Sequence, residues 1–240
     1  RPGHLVVPRY SALPFYREFE ADVSLQGSEI LNTYTQHLYV ADLRHWYSDL
    51  EHLTPQTWFR LEDVPKDGGP FVLKGATNSK KSLWSTRMYA SDWEAAGQVH
   101  SALMEDSYIG NQDIYIREYV PLHSYGIGIQ GLPLTEEYRF FVLDGEVVGK
   151  GYYWSEHTDY LKNRGIFPEV EDVPSSLIEE VVRIVSPRIR FFVVDFARTA
   201  AGDWIVIELN DGQQSGISDV DPCTLYSNMA RILAPSPGTE

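Results

Sequence analysis

Tyr138-Arg139-Phe140-Phe141-Val142-Leu143-Asp144-Gly145-Glu146-Val147-Val148-Gly149-Lys150-Gly151-Tyr152 consists of two apolar-rich runs joined by Asp-Gly. A two-residue turn that follows the twist of its strands needs positive φ at both central residues, which Asp and Gly tolerate, so the stretch reads as a β-hairpin. Counting outward from the turn, Leu143 faces Glu146, and an unbroken register sets Arg139 opposite Lys150. Like charges so placed cost a few tenths to about 1 kcal/mol. An anion between them offsets that cost, because Arg offers phosphate a planar fork and Lys a point charge. Glu137, on the same face, is placed to orient the arginine. The alternative is that both cations simply reach into solvent.

A second hairpin supplies the opposite charge. Phe191 to Ala197 and Trp204 to Asn210 flank a turn containing Gly202. A loop of Ala200 to Asp203 puts Asp195 opposite Glu208, with Asn210 on the same face, between the apolar Val193, Phe196, Ile205, Val206 and Ile207. Two carboxylates held together in such surroundings repel or bind protons unless a cation lies between them. Magnesium suits them, since it takes one or two carboxylates and completes its shell with water and phosphate oxygens. An ordinary polar strand face is the competing reading.

Further toward the N-terminus, Phe71-Val72-Leu73-Lys74 is a short strand leading into Gly75-Ala76-Thr77-Asn78-Ser79-Lys80-Lys81-Ser82, a loop of small, hydroxyl and basic residues. An ammonium at the end of an apolar strand needs a partner. The loop offers amides, hydroxyls and charge to a phosphate, but it lacks the Walker A spacing and reads equally as a mobile basic loop. Ser91 and Glu94 have capping-box spacing ahead of a helix carrying Trp93, Ala96, Val99, His100 and Leu103. Ile114 to Val120 reads as a strand, ended by Pro121 and a glycine-containing loop to Pro133. Pro174 to Val185 reads as a helix.

Residues 1–60 are aromatic-rich without a clean period, apart from a helix-like stretch from Ala41 to Leu53. The turn-forming Asp63-Val64-Pro65-Lys66-Asp67-Gly68-Gly69-Pro70 marks a boundary. The expected organisation is a small leading region (1–66), one α+β subdomain (67–120) and a second (121–240).

With 240 residues and 43% hydrophobic content, the chain can bury a substantial core. Its net charge of -14 repels a phosphate backbone over most of the surface, which argues against a nucleic-acid partner. The lone Cys223 has no internal disulfide partner, and no run of apolar residues is long enough to span a bilayer, so the expectation is a cytoplasmic protein with no membrane partner. A start at Arg1 instead of Met reads as leading residues missing or removed.

The ordered set of strand lysine, basic loop, strand, paired cations and clustered oxygen donors resembles the ATP-grasp superfamily over residues 71 to 212. Leu73-Lys74-Gly75 matches the strand lysine that contacts nucleotide in that family, and Asn78-Ser79-Lys80-Lys81 the loop over the phosphates. Ile116-Arg117-Glu118-Tyr119-Val120 is similar to its adenine-binding hinge, Arg139 to Val148 to its Arg-led hairpin, and Asp195 with Glu208-Leu209-Asn210 to its metal ligands. The resemblance extends to the cell-division-cycle member that assists assembly of a translation initiation factor. It extends also to bacterial and phage members ending in Glu-Leu-Asn-Asp-Gly-Gln.

The resemblance implies two α+β subdomains with antiparallel sheets enclosing an ATP and magnesium cleft. ATP would be bound by Lys74, Ser79, Lys80, Lys81, Arg117, Glu118, Tyr119 and Val120, and magnesium by Asp195, Glu208 and Asn210, with Arg139 and Lys150 catalytic. Many members carry an arginine where this chain has Tyr152-Tyr153-Trp154. Lys150 is the expected substitute, though a lysine gives no bidentate contact.

The implied activity is ligation of a carboxylate to an amine, of small molecules or peptides, through an acyl phosphate, with Arg9, Tyr10 and the Asp211 to Gly216 turn near the substrates. The alternatives are an ATP-loaded factor that binds a protein partner, and a phosphotransferase. Against the last, there is no His-Arg-Asp loop, and Asp195-Phe196-Ala197 is a partial echo of Asp-Phe-Gly.

Overall fold

The computed structural model describes residues 3–11, 14–128, 131–168 and 170–234; Arg1, and Ile129 and Gln130 of the expected loop, lie outside the described residues. The leading region contains β1 (Leu5–Val6), α1 (Tyr16–Leu25), β2 (Glu29–Ile30), α2 (Tyr34–Ala41), α3 (Leu43–Leu50) and β3 (Thr57–Trp58). β1 and β2 pair in parallel. Thr33 begins α2 with a capping box: its hydroxyl accepts from Gln36 N and its own N–H donates to the Gln36 side chain. Asp42 ends α2 and caps α3, so the helix expected over Ala41 to Leu53 is shorter and begins after a break.

β4 (Phe71–Gly75), α4 (Trp84–Arg87), β5 (Tyr89–Ala90), α5 (Trp93–Met104) and β6 (Ile114–Glu118) follow. They form an antiparallel sheet in the order β3-β6-β4-β5. Asp92, not Ser91, caps α5, accepting from Ala95 N at 2.9 Å. Ala96, Val99 and Leu103 on α5 pack with Phe71, Leu73, Ile114 and Ile116 into one core, to which Val64 from the leading region also belongs.

The remaining elements are β7 (Ser124–Ile127), β8 (Pro133–Thr135), β9 (Glu137–Leu143), β10 (Glu146–Tyr152), α6 (Thr158–Lys162), α7 (Ser175–Val185), β11 (Phe191–Arg198), β12 (Trp204–Asp211) and α8 (Pro222–Leu233). The stretch expected as a loop between Pro121 and Pro133 instead contributes to an antiparallel ribbon, β7 with β8. The larger antiparallel sheet runs β10-β9-β11-β12. Asp144 (φ 47°) and Gly145 (φ 86°) make the tight turn between β9 and β10.

One face of this larger sheet packs on α7 and on α2 and α3, whose Val40, Leu43, Trp46 and Leu50 join Phe140, Val142, Val194 and Val206. The other face packs on α8 through Phe141, Leu143, Phe191, Val193, Leu225 and Met229. Residues of the leading region therefore contribute to the cores of both large sheets.

The central pair β9 and β11 is unbroken in register from Leu143 opposite Phe191 to Glu137 opposite Ala197. Both outer strands are irregular. β10 has a bulge between Val147 and Gly149, and β12 has one between Val206 and Glu208. Bulges favour sheet edges, where an extra residue disturbs the ladder on one side only.

Candidate functional site

Arg139 on β9 lies directly opposite Asp195 on β11, which in turn lies opposite Glu208 on β12. The guanidinium grips the Asp195 carboxylate with two parallel hydrogen bonds, Nε to Oδ1 at 2.9 Å and Nη2 to Oδ2 at 2.8 Å. Its third nitrogen donates to the Gly216 carbonyl at 2.9 Å. Burial works against this charge, but Asp195 holds the Arg139 guanidinium above its ordinary range. The arginine is thus oriented by Asp195, and not by Glu137 as the strand pattern suggested.

Asp195 faces Glu208 as expected, but by another route. Arg198, not Thr199, pairs with Trp204, so the turn holds one residue more than the loop of Ala200 to Asp203; Ile207, the extra residue of the β12 bulge, restores the register. Glu208 pairs with Lys74 from the smaller sheet across the cleft. Burial opposes ionisation, yet the Lys74 and Lys81 charges, with hydrogen bonds from Lys74 and Asn210, bring the Glu208 carboxyl down to about 2. The two carboxylates therefore do not meet uncompensated.

Lys150 is a correction. The β10 bulge shifts the register so that Arg139 faces Gly151, while Lys150 faces Phe140 and lies on the opposite side of the sheet from Arg139. The bulge has a visible companion. A Cβ on Gly151 would come within 2.6 Å of the Asp219 and Val220 backbone, so only glycine admits that crossing over the strand.

Between the two large sheets lies a cleft of about 930 Å³, part of it open to solvent. Val72, Met88, Leu122, Ile205 and Ile207 line an apolar part, and Lys74, Lys81, Glu137 and Glu208 a charged part. Of the residues expected to hold nucleotide, Lys74, Ser79, Lys81, Arg117, Glu118, Tyr119 and Val120 all line it. Lys80 does not: it pairs with Asp106 at 3.0 Å and lies over the Tyr108 ring.

Lys81 donates to the Tyr153 hydroxyl and sits 4.1 Å from the centroid of that ring. Burial opposes its charge, but Tyr153, Glu137 and Glu208 raise the ammonium above the ordinary lysine range. Glu137 is pushed up to about 7, chiefly by burial and further by Asp195, with Lys81, Thr135 and Arg139 pulling the other way. Thr135 Oγ1 donates to its Oε2 at 3.1 Å, whereas Oε1 is buried without a hydrogen-bond partner. Arg117 crosses to the larger sheet, donating to the Ile207 carbonyl at 2.7 Å and to Thr54 Oγ1 at 2.6 Å. Burial lowers its guanidinium to about 10.

A second, more polar chamber of about 830 Å³ lies at the other side of Glu208, bordered by Arg139, Asn210, His37, Thr77, Asn78 and the 214–216 turn. Arg9 holds that turn in place, donating to the Gly212 and Ser215 carbonyls. Its reach is thereby spent on backbone, which makes it a fastening for the turn.

Among the described residues, no three His, Cys, Asp or Glu side chains gather as a metal cage. The set at hand is two carboxylates and an amide, Asp195, Glu208 and Asn210, with Asp195 opposite Glu208. That donor chemistry fits magnesium bound partly through phosphate and water. The cations now on the carboxylates, Lys74 and Arg139, are suited to phosphate, so an exchange of partners admits a metal-bound polyphosphate.

Tyr153, Trp154 and His37 were not legible as site residues. The aromatic pair follows the β10 strand, where nothing in the pattern distinguishes a cleft wall from core, and His37 lies on a helix that shows no clear period.

Residues 63–229 match a family of ATP-grasp domains, the third family of its clade. In structure, the chain is similar to a RimK domain ATP-grasp protein of Sphaerobacter thermophilus, with TM-score 0.54 and 16% identity over 88% of this chain and 73% of that one. It is similar also to the D-alanine–D-alanine ligase of Bacillus anthracis complexed with ATP, with TM-score 0.54 and 14% identity over 85% of this chain and 66% of that one. Such identities carry the fold alone. In sequence, it is 26% identical over 133 residues to a Methanocaldococcus jannaschii protein named for UTP–glucose-1-phosphate uridylyltransferase, covering 54% of this chain and 43% of that protein. The chain thus spans less than half of that relative's length.

Proposed function

This chain belongs to the ATP-grasp domains, in the third family of one of their clades, and from that premise we propose that it binds magnesium-ATP between its two large sheets and ligates a carboxylate to an amine through an acyl phosphate. The observation that carries the reading is the meeting of Lys74 with Glu208 across the cleft, one strand from the Arg139–Asp195 pair. Opposite charges poised at the polar end of an otherwise apolar cleft are what a nucleotide with a charged tail requires.

The adenine lies along Glu118 to Val120, between Val72, Met88 and Ile207. Lys74 and Lys81 take the phosphates. Asp195, Glu208 and Asn210 hold magnesium, which when bound neutralises phosphate charge as the terminal phosphoryl group moves. Arg139, released from Asp195, offers its fork to the carboxylate being phosphorylated. Tyr153 and Trp154 cover the Lys81 ammonium and keep water from the reacting anhydride. A magnesium-ATP substrate is supplied in the cytoplasm, where the reading places this chain.

The test is ADP release with magnesium-ATP and a panel of amino acids and peptides as carboxylate and amine. Turnover with a defined pair establishes the ligase. Tight ATP binding with no ADP formed across the panel sinks it and leaves a nucleotide-loaded binding factor.

A further inference from the structure

His37 projects from α2 into the polar chamber that Glu208, Asn210 and Arg139 also line. Its side chain is 2% exposed and its ring stacks on Tyr16 at 4.2 Å. Nδ1 lies 3.0 Å from Asp211 Oδ2. The other Asp211 oxygen is fixed by Asn32 Nδ2 at 2.7 Å and by Gln213 N at 2.8 Å. Because an ionised carboxylate only accepts, the ring proton belongs on Nδ1, and Nε2 is left with a lone pair. That Nε2 is buried with no hydrogen-bond partner. Glu208 and Arg139 are committed to Lys74 and Asp195, and Asp211 is saturated, so the imidazole holds the unspent acceptor capacity in this set.

We propose that His37 is the proton acceptor for the second substrate, and that this substrate is a primary amine entering through the polar chamber. The inference rests on the ligase reading. In the step, the neutral amine nitrogen bonds to the acyl carbon while the carbon–oxygen bond to phosphate breaks. Inorganic phosphate leaves with that electron pair, and the surplus proton on nitrogen passes to His37 Nε2. Asp211 stabilises the imidazolium and keeps the ring in the tautomer that can receive the proton. Nε2 is shielded in this structure, so the amine reaches it through a side-chain shift. Gln214, whose amide lies 3.4 Å from Nδ1 and which lines the same chamber, is the neighbour in place to make it.

The experiment compares the whole chain with His37→Gln and His37→Phe, using magnesium-ATP, a panel of carboxylates, and either hydroxylamine or a primary amine. Hydroxylamine is uncharged at neutral pH and traps an acyl phosphate without help from a base. Both variants are expected to keep magnesium-ATP affinity and hydroxamate formation within about threefold, while ligation to the primary amine falls about 100-fold or more. Unchanged amine ligation overturns the proposal, as does parallel loss of hydroxamate and ligation, which is the signature of a scaffold residue. If the wild type makes neither ADP nor hydroxamate, the ligase reading itself has failed. The site is then judged by ¹⁵N resonances of the histidine rings in wild-type protein holding a non-hydrolysable ATP analogue, titrated with amino acid amides. A shift confined to His37 Nε2 sustains an amine site, and no shift with any amine overturns it.

Discussion

Arg139 and Asp195 are cross-strand neighbours at the centre of the larger sheet, joined by two hydrogen bonds, with side chains 9% and 0% exposed. Removing one member leaves the other charged and buried, a loss that typically costs about 3–5 kcal/mol. Asp195→Asn is therefore expected to lower the urea midpoint strongly. The double variant Arg139→Met/Asp195→Leu is expected to recover most of the stability without recovering magnesium-dependent ATP binding. Failure of the double variant to recover would show that the pair contributes more to the fold than charge compensation.

Lys74 and Glu208 separate nucleotide from metal. Lys74→Ala is expected to weaken ATP binding about tenfold or more with or without magnesium, since a charge-assisted contact to phosphate is lost. Glu208→Gln is expected to leave metal-free ATP binding nearly unchanged and abolish its enhancement by magnesium. Calorimetric titration with and without the ion checks both; equal affinities in all three proteins would remove the site.

The acid groups at the cleft floor pull stability in opposite directions with pH. Glu208, lowered from 4.5 to about 2, contributes stability that is complete above pH 4.5 and is lost as pH falls toward 2. Glu137, raised from 4.5 to about 7, favours the folded state while protonated, so its contribution is complete below pH 4.5 and is lost as pH rises through 7. Wild type minus Glu137→Gln is expected to show a stability difference that falls by a few kcal/mol, order of magnitude, between pH 5 and 8. Denaturant midpoints for both proteins at those two pH values measure it, and a flat difference would refute it.

Arg117 was expected at the nucleotide and is found fastening the smaller sheet to Ile207 and Thr54. Arg117→Ala removes both bonds, each worth about 1–3 kcal/mol when the donor is charged and buried. Hydrogen exchange is expected to quicken in β6 and β12 together. Acceleration in β6 alone would mean that the arginine does not join the sheets.

The central strands of the fold were legible because their signals are local. Asp144-Gly145 dictates its turn, and the apolar runs of β9 and β11 admit few other readings. Asp195, Glu208 and Asn210 followed from alternation. Alternation failed where an extra residue enters a strand, and nothing in Val147-Val148-Gly149 or Val206-Ile207-Glu208 announces one. The first error carried Lys150 to the wrong face; the second was cancelled by a longer turn. His37 and Tyr153 remained invisible because their partners, Asp211 and Lys81, are far away in the chain and meet them only after folding.

The extra residue at Ile207 gives β12 slack that its inner neighbours lack. A strand with slack can absorb a length change in the adjoining Thr199 to Asp203 turn by ironing out its kink, leaving the carboxylate of Glu208 where it was. The same one-residue deletion between β9 and β11 would have nowhere to go, and every side chain beyond it would exchange inside for outside. Insertions and deletions in this chain should therefore be survivable on the rim of the larger sheet and fatal at its middle.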